Sequence, residues 1–225
     1  MPMNASRSSL EQVGPVFDTE RMLVVRQNTR EVIREIADMV RPGMVEEDAV
    51  EGAKKLLASR KMLRGWHPVY VRFGANTTKT FGEASEPGVV LRDNDIFLID
   101  IGPVFEQWEG DGGDTFVVGH APHYAKCAED ARGIFTQSRR KWLDEGATGK
   151  SLYDFAVTQA SKLGWRLNMD LSGHRLSDFP HAAYYDGPLA DIDFNPSPSV
   201  WVLEIHIRHP ELPFGAFFED TLLRD

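Results

Sequence analysis

Three segments of this chain each set one carboxylate inside a run that is otherwise apolar: Asp100 in DIFLIDIG (95–102), Glu204 in VWVLEIHI (200–207) and Glu219 in GAFFEDTLL (215–223). Apolar runs of this length read as strands buried on both faces. An unpaired carboxylate in such a strand costs several kcal/mol of desolvation, so it demands a cation, a hydrogen-bond network or an exposed edge. For Asp100 alone, an edge strand with the carboxylate in water stays open. The recurrence at Glu204 and Glu219 favours one shared site over three separate accidents.

The stretch EGDGGDTFVVG (109–119) adds two more acids, Asp111 and Asp114. Asp-Gly on its own reads as a hairpin turn, but glycine on both sides of Asp111 also suits a ligand at a bulge. A hairpin lays its strands about 5 Å apart, so Asp100 and Asp111 would repel each other unless a cation lay between them. GHRLSDFPH places His174 and His181 seven residues apart, and Glu204 shares a strand face with His206. Together, Asp100, Asp111, His174, Glu204 and Glu219 form an oxygen-rich set with one imidazole, which suits a pair of divalent ions such as Mn, Co, Fe or Zn.

The rest of the chain supplies an α+β frame. Met22, Val25, Thr29, Val32, Ile33, Ile36 and Val40 recur at helical spacing over 18–40, RPGM (41–44) stops that helix, and 46–60 is a second one. HPVYVRFGAN (67–76) reads as a strand, 77–88 as a loop, and 95–102 and 114–119 as the arms of a hairpin. The second half runs the same way: a helix over 125–143, the break DEGATGK, a helix over 151–162, then strand-like segments at 165–171, around His181, at 200–207 and at 215–223. This order of elements points to an internal duplication.

The 225 residues carry a formal charge of −9, which offers no basic nucleic-acid footprint. No apolar run approaches the ~20 residues of a membrane span. The single cysteine, Cys127, sits in an apparent helix and fits a reducing compartment. MPMNASRSSLEQVGPV lacks the apolar segment of a signal peptide. These features predict a polar tail over 1–16, a single domain over 17–225, and a cytoplasmic location. Trp108 and Tyr184 are candidate pocket aromatics, from their closeness in sequence to Asp111 and His181.

The ordered motifs DIG, GDGGDTFVVG, GH, H, E and GAFFED resemble the pita-bread metallopeptidases: methionine aminopeptidases, aminopeptidases P and prolidases. The resemblance runs from Met22 to Leu223. It implies two pseudo-symmetric halves around a curved antiparallel sheet. It also implies that Asp111 and Glu219 bridge two divalent ions, that Asp100 holds the first, and that His174 and Glu204 hold the second. Asp111 rather than Asp114 is then the ligand. In that family a metal-bridging hydroxide attacks the peptide bond, Glu204 would act as general base, and His181 would contact the scissile carbonyl. The segment NTTKTFGEASEPG lacks the family's upstream histidine, and His67 is the candidate to reach the site in its place. Phe217 or Phe218 stands where prolidases carry an Arg, Asp170 where they carry a third His, and Ile205 follows Glu204 in place of Pro. The expected activity is that of an aminopeptidase or dipeptidase, Xaa-Pro-type included, on a small peptide. The alternatives are a creatinase-like enzyme acting on a small non-peptide molecule and a catalytically silent binding module. The resemblance also implies a homodimer.

Overall fold

The computed structural model describes residues 9–224. Helix α1 (Thr19–Met39) buries Met22, Val25, Thr29, Val32, Ile33 and Ile36, a stripe at three- and four-residue steps. Asp18 caps it by accepting the backbone N–H groups of Glu20 and Arg21 at 2.8 and 3.1 Å. It stops at Val40, which is extended ahead of Arg41 and Pro42. Helix α2 (Glu46–Ser59) begins with a buried carboxylate. Glu46 accepts the backbone N–H of Phe73 at 2.5 Å and the Asn76 amide at 3.0 Å.

That contact explains one departure from expectation. Strand β1 is only Tyr70–Phe73, and the chain then winds into a 3-10 turn, Gly74–Thr78, where 67–76 reads as a continuous strand. Glu46 takes the Phe73 N–H, and the Thr77 hydroxyl bonds Gly74 O at 2.6 Å, so the ladder ends there. Strand β2 (Asp95–Ile101) follows. Between it and β5 (Gly112–Val118) lies a small two-stranded excursion, β3 (Val104–Phe105) and β4 (Trp108–Glu109), in place of a plain hairpin turn.

Helices α3 (Pro122–Glu145) and α4 (Gly149–Lys162) open the second half, with left-handed Gly146 ending α3 and Thr148 capping α4. Strands β6 (Arg166–Leu167), β7 (His174–Arg175), β8 (Trp201–Arg208) and β9 (Gly215–Thr221) complete it. The expected strand around His181 does not form. Pairing there stops at one antiparallel bridge, Asp178 to Trp108, with the Phe179 N–H donating to the Gln107 carbonyl at 2.9 Å, and Pro180 has no N–H to extend it.

Among the described residues, one antiparallel seven-stranded sheet runs β1-β2-β5-β9-β8-β6, with β7 also on β8. The halves meet at β5 and β9. Alternation along the strands separates two faces. Phe97, Ile99 and Ile101 pack with Val32, Ile33 and Ile36, while Trp201, Leu203, Ile205 and Ile207 pack with Ile134, Trp142 and Leu152. The intervening residues, Leu98, Asp100, Val202, Glu204 and His206, fall on the face turned away from the helices. Of the expected polar tail, residues 1–8 lie outside the described residues. From Ser9 on the segment is docked: buried Glu11 accepts from Ser197 N at 2.7 Å and Trp201 Nε1 at 2.8 Å, and Gly14 N donates to Asp178 at 2.7 Å.

His206 shows what burial does to a titrating group on this face. Its Nε2–H donates to Thr77 O at 2.8 Å and its Nδ1 accepts from the Asn168 amide at 3.1 Å, so the neutral ring is fully satisfied. Burial pushes its pKa from 6.5 down to about 3. A depressed folded pKa means that the ring's stabilising contribution is complete above about pH 6.5. It is lost as pH falls towards 3, at about 1.4 kcal/mol per unit. Urea unfolding with chelator present is expected to show about 2 kcal/mol more stability lost between pH 7 and pH 5 in wild type than in His206→Gln. Equal losses would contradict a neutral buried ring.

Candidate metal centre

β2 is not an edge strand. Asp100 pairs with Tyr70 on one side and Gly113 on the other, and only 7% of it is exposed, so the reading of a carboxylate in water is excluded. Gly113 pairs in turn with Glu219, and Glu219 with Glu204. Asp100, Gly113, Glu219 and Glu204 therefore form one row across the four central strands. Gly113 has no room for a side chain: a Cβ there would lie 2.5 Å from the Phe217 ring and 3.1 Å from Glu219 Oε1. Asp111, just before β5, joins the row from the side and meets His174, whose Nε2 is 2.8 Å from Asp111 Oδ2. Gly173 precedes that histidine with φ +75, and its N–H donates to Glu204 Oε2 at 2.6 Å.

Directly opposed carboxylates such as Glu204 and Glu219 destabilise a sheet unless something compensates them. Burial pushes Asp100 up to about 6 and Glu204 up to about 7, with Asp111 adding to both. Burial and the neighbouring carboxylates hold Glu219 well above the usual range. For His174, burial acts downward, but Asp111 and Glu204 outweigh it and push the ring up to about 10. Burial acts upward on Asp111, yet His174 outweighs it and leaves that carboxyl low. These shifts mark a cluster whose carboxylates repel one another and would be relieved by positive charge.

The donor set fits cations. Asp100 Oδ1, Asp111 Oδ1 and Glu219 Oε1 are buried with no hydrogen-bond partner among the described residues, and Asp111 Oδ2 has the His174 ring beside it. Ligand atoms of His67, Asp100 and Asp111 lie within 4.8 Å of one another, and so do those of Asp111, His174 and Glu219. Asp114 is elsewhere. It faces the helices, with Arg132 Nε 2.8 Å and Arg30 Nη2 3.2 Å from its oxygens. The two aspartates of the Gly-rich stretch thus fall on opposite sides of the sheet.

A cavity of about 640 Å³ opens beside the row, lined by Trp66, Phe81, Leu171, Tyr185 and both His174 and His181. His181 Nδ1 is 2.9 Å from Glu109 Oε2, and its ring stacks on Trp66 at 5.1 Å. The candidate aromatics Trp108 and Tyr184 are not in its lining. The Trp108 indole donates to Val16 O at 3.1 Å, and Tyr184 is 64% exposed. Sequence reasoning missed Glu109. Its only signal was an acid two residues before Asp111, which says nothing of a ring 72 residues away.

Fold and site together define a pita-bread protein with a carboxylate–imidazole cluster at the seam of its two halves. The chain belongs to metallopeptidase family M24, whose profile matches residues 20–224. Among solved structures it resembles the X-Pro aminopeptidase of Thermotoga maritima MSB8 (TM-score 0.71, 19% identity, 90% of this chain and 56% of that one). It also resembles the prolidase of Pyrococcus horikoshii OT3 (TM-score 0.67, 18% identity, 92% and 60%). The methionine aminopeptidase of Rickettsia prowazekii matches at TM-score 0.66 and 14% identity, over 93% and 95%. The chain thus spans under two thirds of the prolidase and X-Pro aminopeptidase chains. A comparison with curated proteins finds no match.

Proposed function

We propose that this chain is a metal-dependent peptide hydrolase of aminopeptidase or dipeptidase type, with two divalent cations held by Asp100, Asp111, His174, Glu204 and Glu219. The observation that carries this reading is the row of carboxylates, in which Asp100 Oδ1, Asp111 Oδ1 and Glu219 Oε1 are buried with no hydrogen-bond partner among the described residues. When bound, a pair of divalent ions acidifies water and polarises a carbonyl.

The chain's own groups supply the rest. Glu204, held at one oxygen by the Gly173 N–H, takes and returns a proton. Glu109 accepts from His181 Nδ1 and fixes the ring, which leaves Nε2 as the nitrogen that meets the substrate. Trp66, Phe81 and Tyr185 give an apolar wall, while Asp170 and Asp186 put negative charge in the cavity lining. That combination suits a short peptide with a free ammonium group, and the cavity volume lies in the ordinary range for small ligands. The names of the structural neighbours support the peptide reading, Xaa-Pro bonds included.

The same acidic lining motivates a second reading, a small cationic non-peptide amide or guanidine. A cytoplasmic location and a homodimer complete the proposal, supported by the unpaired Cys127 and the resemblance. No helix among the described residues is long and apolar enough to cross a membrane. The test is metal analysis after loading with Mn, Co or Zn, followed by a peptide and small-amide panel. Two ions per chain with peptide cleavage supports the proposal. Turnover of small amides alone selects the second reading, and failure to take up metal sinks both.

A further inference from the structure

We propose that His67 is itself a metal ligand, so that each half of the molecule contributes one imidazole to the centre. This inference rests on the dinuclear reading above and adds a ligand that the motif pattern does not assign.

The two rings are held alike. His67 Nδ1 is 2.5 Å from the carbonyl oxygen of the next residue, Pro68, and His174 Nδ1 is 2.8 Å from that of Arg175. A carbonyl only accepts, so each Nδ1 carries the proton, and in the neutral ring Nε2 carries the lone pair. Each Nε2 then faces a carboxylate: Asp100 Oδ1 at 3.3 Å for His67, and Asp111 Oδ2 at 2.8 Å for His174. A lone pair aimed at a carboxylate is unfavourable unless a cation or a second proton lies with them. A ring that donates one N–H to a carbonyl and turns the other nitrogen to acids has the arrangement of a metal-bound histidine.

The topology repeats the pattern. His67 lies three residues before Tyr70, which pairs with Asp100 across β1 and β2. His174 on β7 pairs with Val202, two residues before Glu204 on β8. The two ligand groups, His67–Asp100–Asp111 and Asp111–His174–Glu219, share Asp111 and use one ring each. The His67 side chain is only 6% exposed, and Asp100 Oδ1 beside it has no hydrogen-bond partner among the described residues. A second imidazole shifts preference from Mg and Mn towards Zn and Co.

The full chain is loaded with Co(II), with 15N-labelled histidine, and its exchangeable imidazole protons are read by NMR. Two paramagnetically shifted Nδ1–H signals are expected, one lost in His67→Gln and the other in His174→Gln. His67→Gln should also weaken Zn binding at one of the two sites by at least the ~10–100-fold that loss of a ligand's hydrogen-bond partner costs. Two bound cobalt ions with a single shifted N–H, lost only in His174→Gln, overturn this proposal and leave the dinuclear reading standing; His67 is then an ion-pair partner of Asp100 or a substrate contact. No cobalt uptake at all overturns both. If His67→Gln does not fold, the signal count in the wild type decides.

Discussion

Chelation is expected to lower the melting temperature of the wild-type protein and to leave that of Asp111→Ala nearly unchanged. The row of acids is the cause. Cations that bind the folded chain and not the unfolded one stabilise by ~2.7 kcal/mol at 100 times their dissociation constant. In a chain of this length each kcal/mol moves the midpoint by roughly 2–4 °C, so the expected drop is about 5–11 °C. Asp111 belongs to both candidate ligand groups, so its removal disables both. Asp114→Ala gives the opposite profile. It removes the carboxylate that Arg30 and Arg132 share but leaves each its backbone carbonyls, and with Arg132 partly exposed it should cost about 1–2 kcal/mol with or without chelator. Its chelator-induced drop should match that of the wild type. Calorimetry with and without chelator on the three proteins reads this directly, and a reversed ranking of the two aspartates would overturn the ligand assignment.

The largest loss of activity is expected from Glu204→Gln, a fall in kcat of ~10²–10⁴ on any peptide the wild type cleaves, with KM little changed. Without cations, burial first and then Asp111 and Asp100 raise this carboxyl to about 7, and cations bound beside it would bring it down again. Glutamine keeps the shape and can still accept the Gly173 N–H, so folding is preserved. Because Glu204 also stands in the proposed ligand set, metal content is measured alongside rate. Full metal with lost turnover assigns the proton-transfer role, whereas lost metal assigns only ligation. A variant with both metal and more than a tenth of the wild-type kcat would move the general base elsewhere. Glu109→Gln, which reaches the site through the His181 ring and otherwise accepts the Ser177 N–H, should fall well short of this effect.

Much of the frame was legible because its signals are local. The stripe from Met22 to Ile36 is helical periodicity that any window of the sequence displays, and Pro42 and Gly43 end it by backbone geometry alone. Asp100, Glu204 and Glu219 were visible for a related reason. A charge inside an apolar strand is a contradiction that the strand itself announces, and the structure puts all three in one row. The expectation failed where a side chain from afar claimed a backbone group, or where a residue had none to give. Glu46, 27 residues away, ends β1 at Phe73, and Pro180 lacks the N–H that would carry the single bridge at Asp178 on towards His181.

The chain on its own thus determined which segments are helices and strands, and which acids are too costly to bury unpaired. Only the tertiary structure decided that Asp111 faces His174 while Asp114, three residues on, faces arginines on the other side of the sheet. It alone paired His181 with Glu109 and His67 with Asp100. Periodicity is a property of neighbours in the chain, but the partner of a charge is set by strand register and helix packing. Those are settled only when the two halves close on each other.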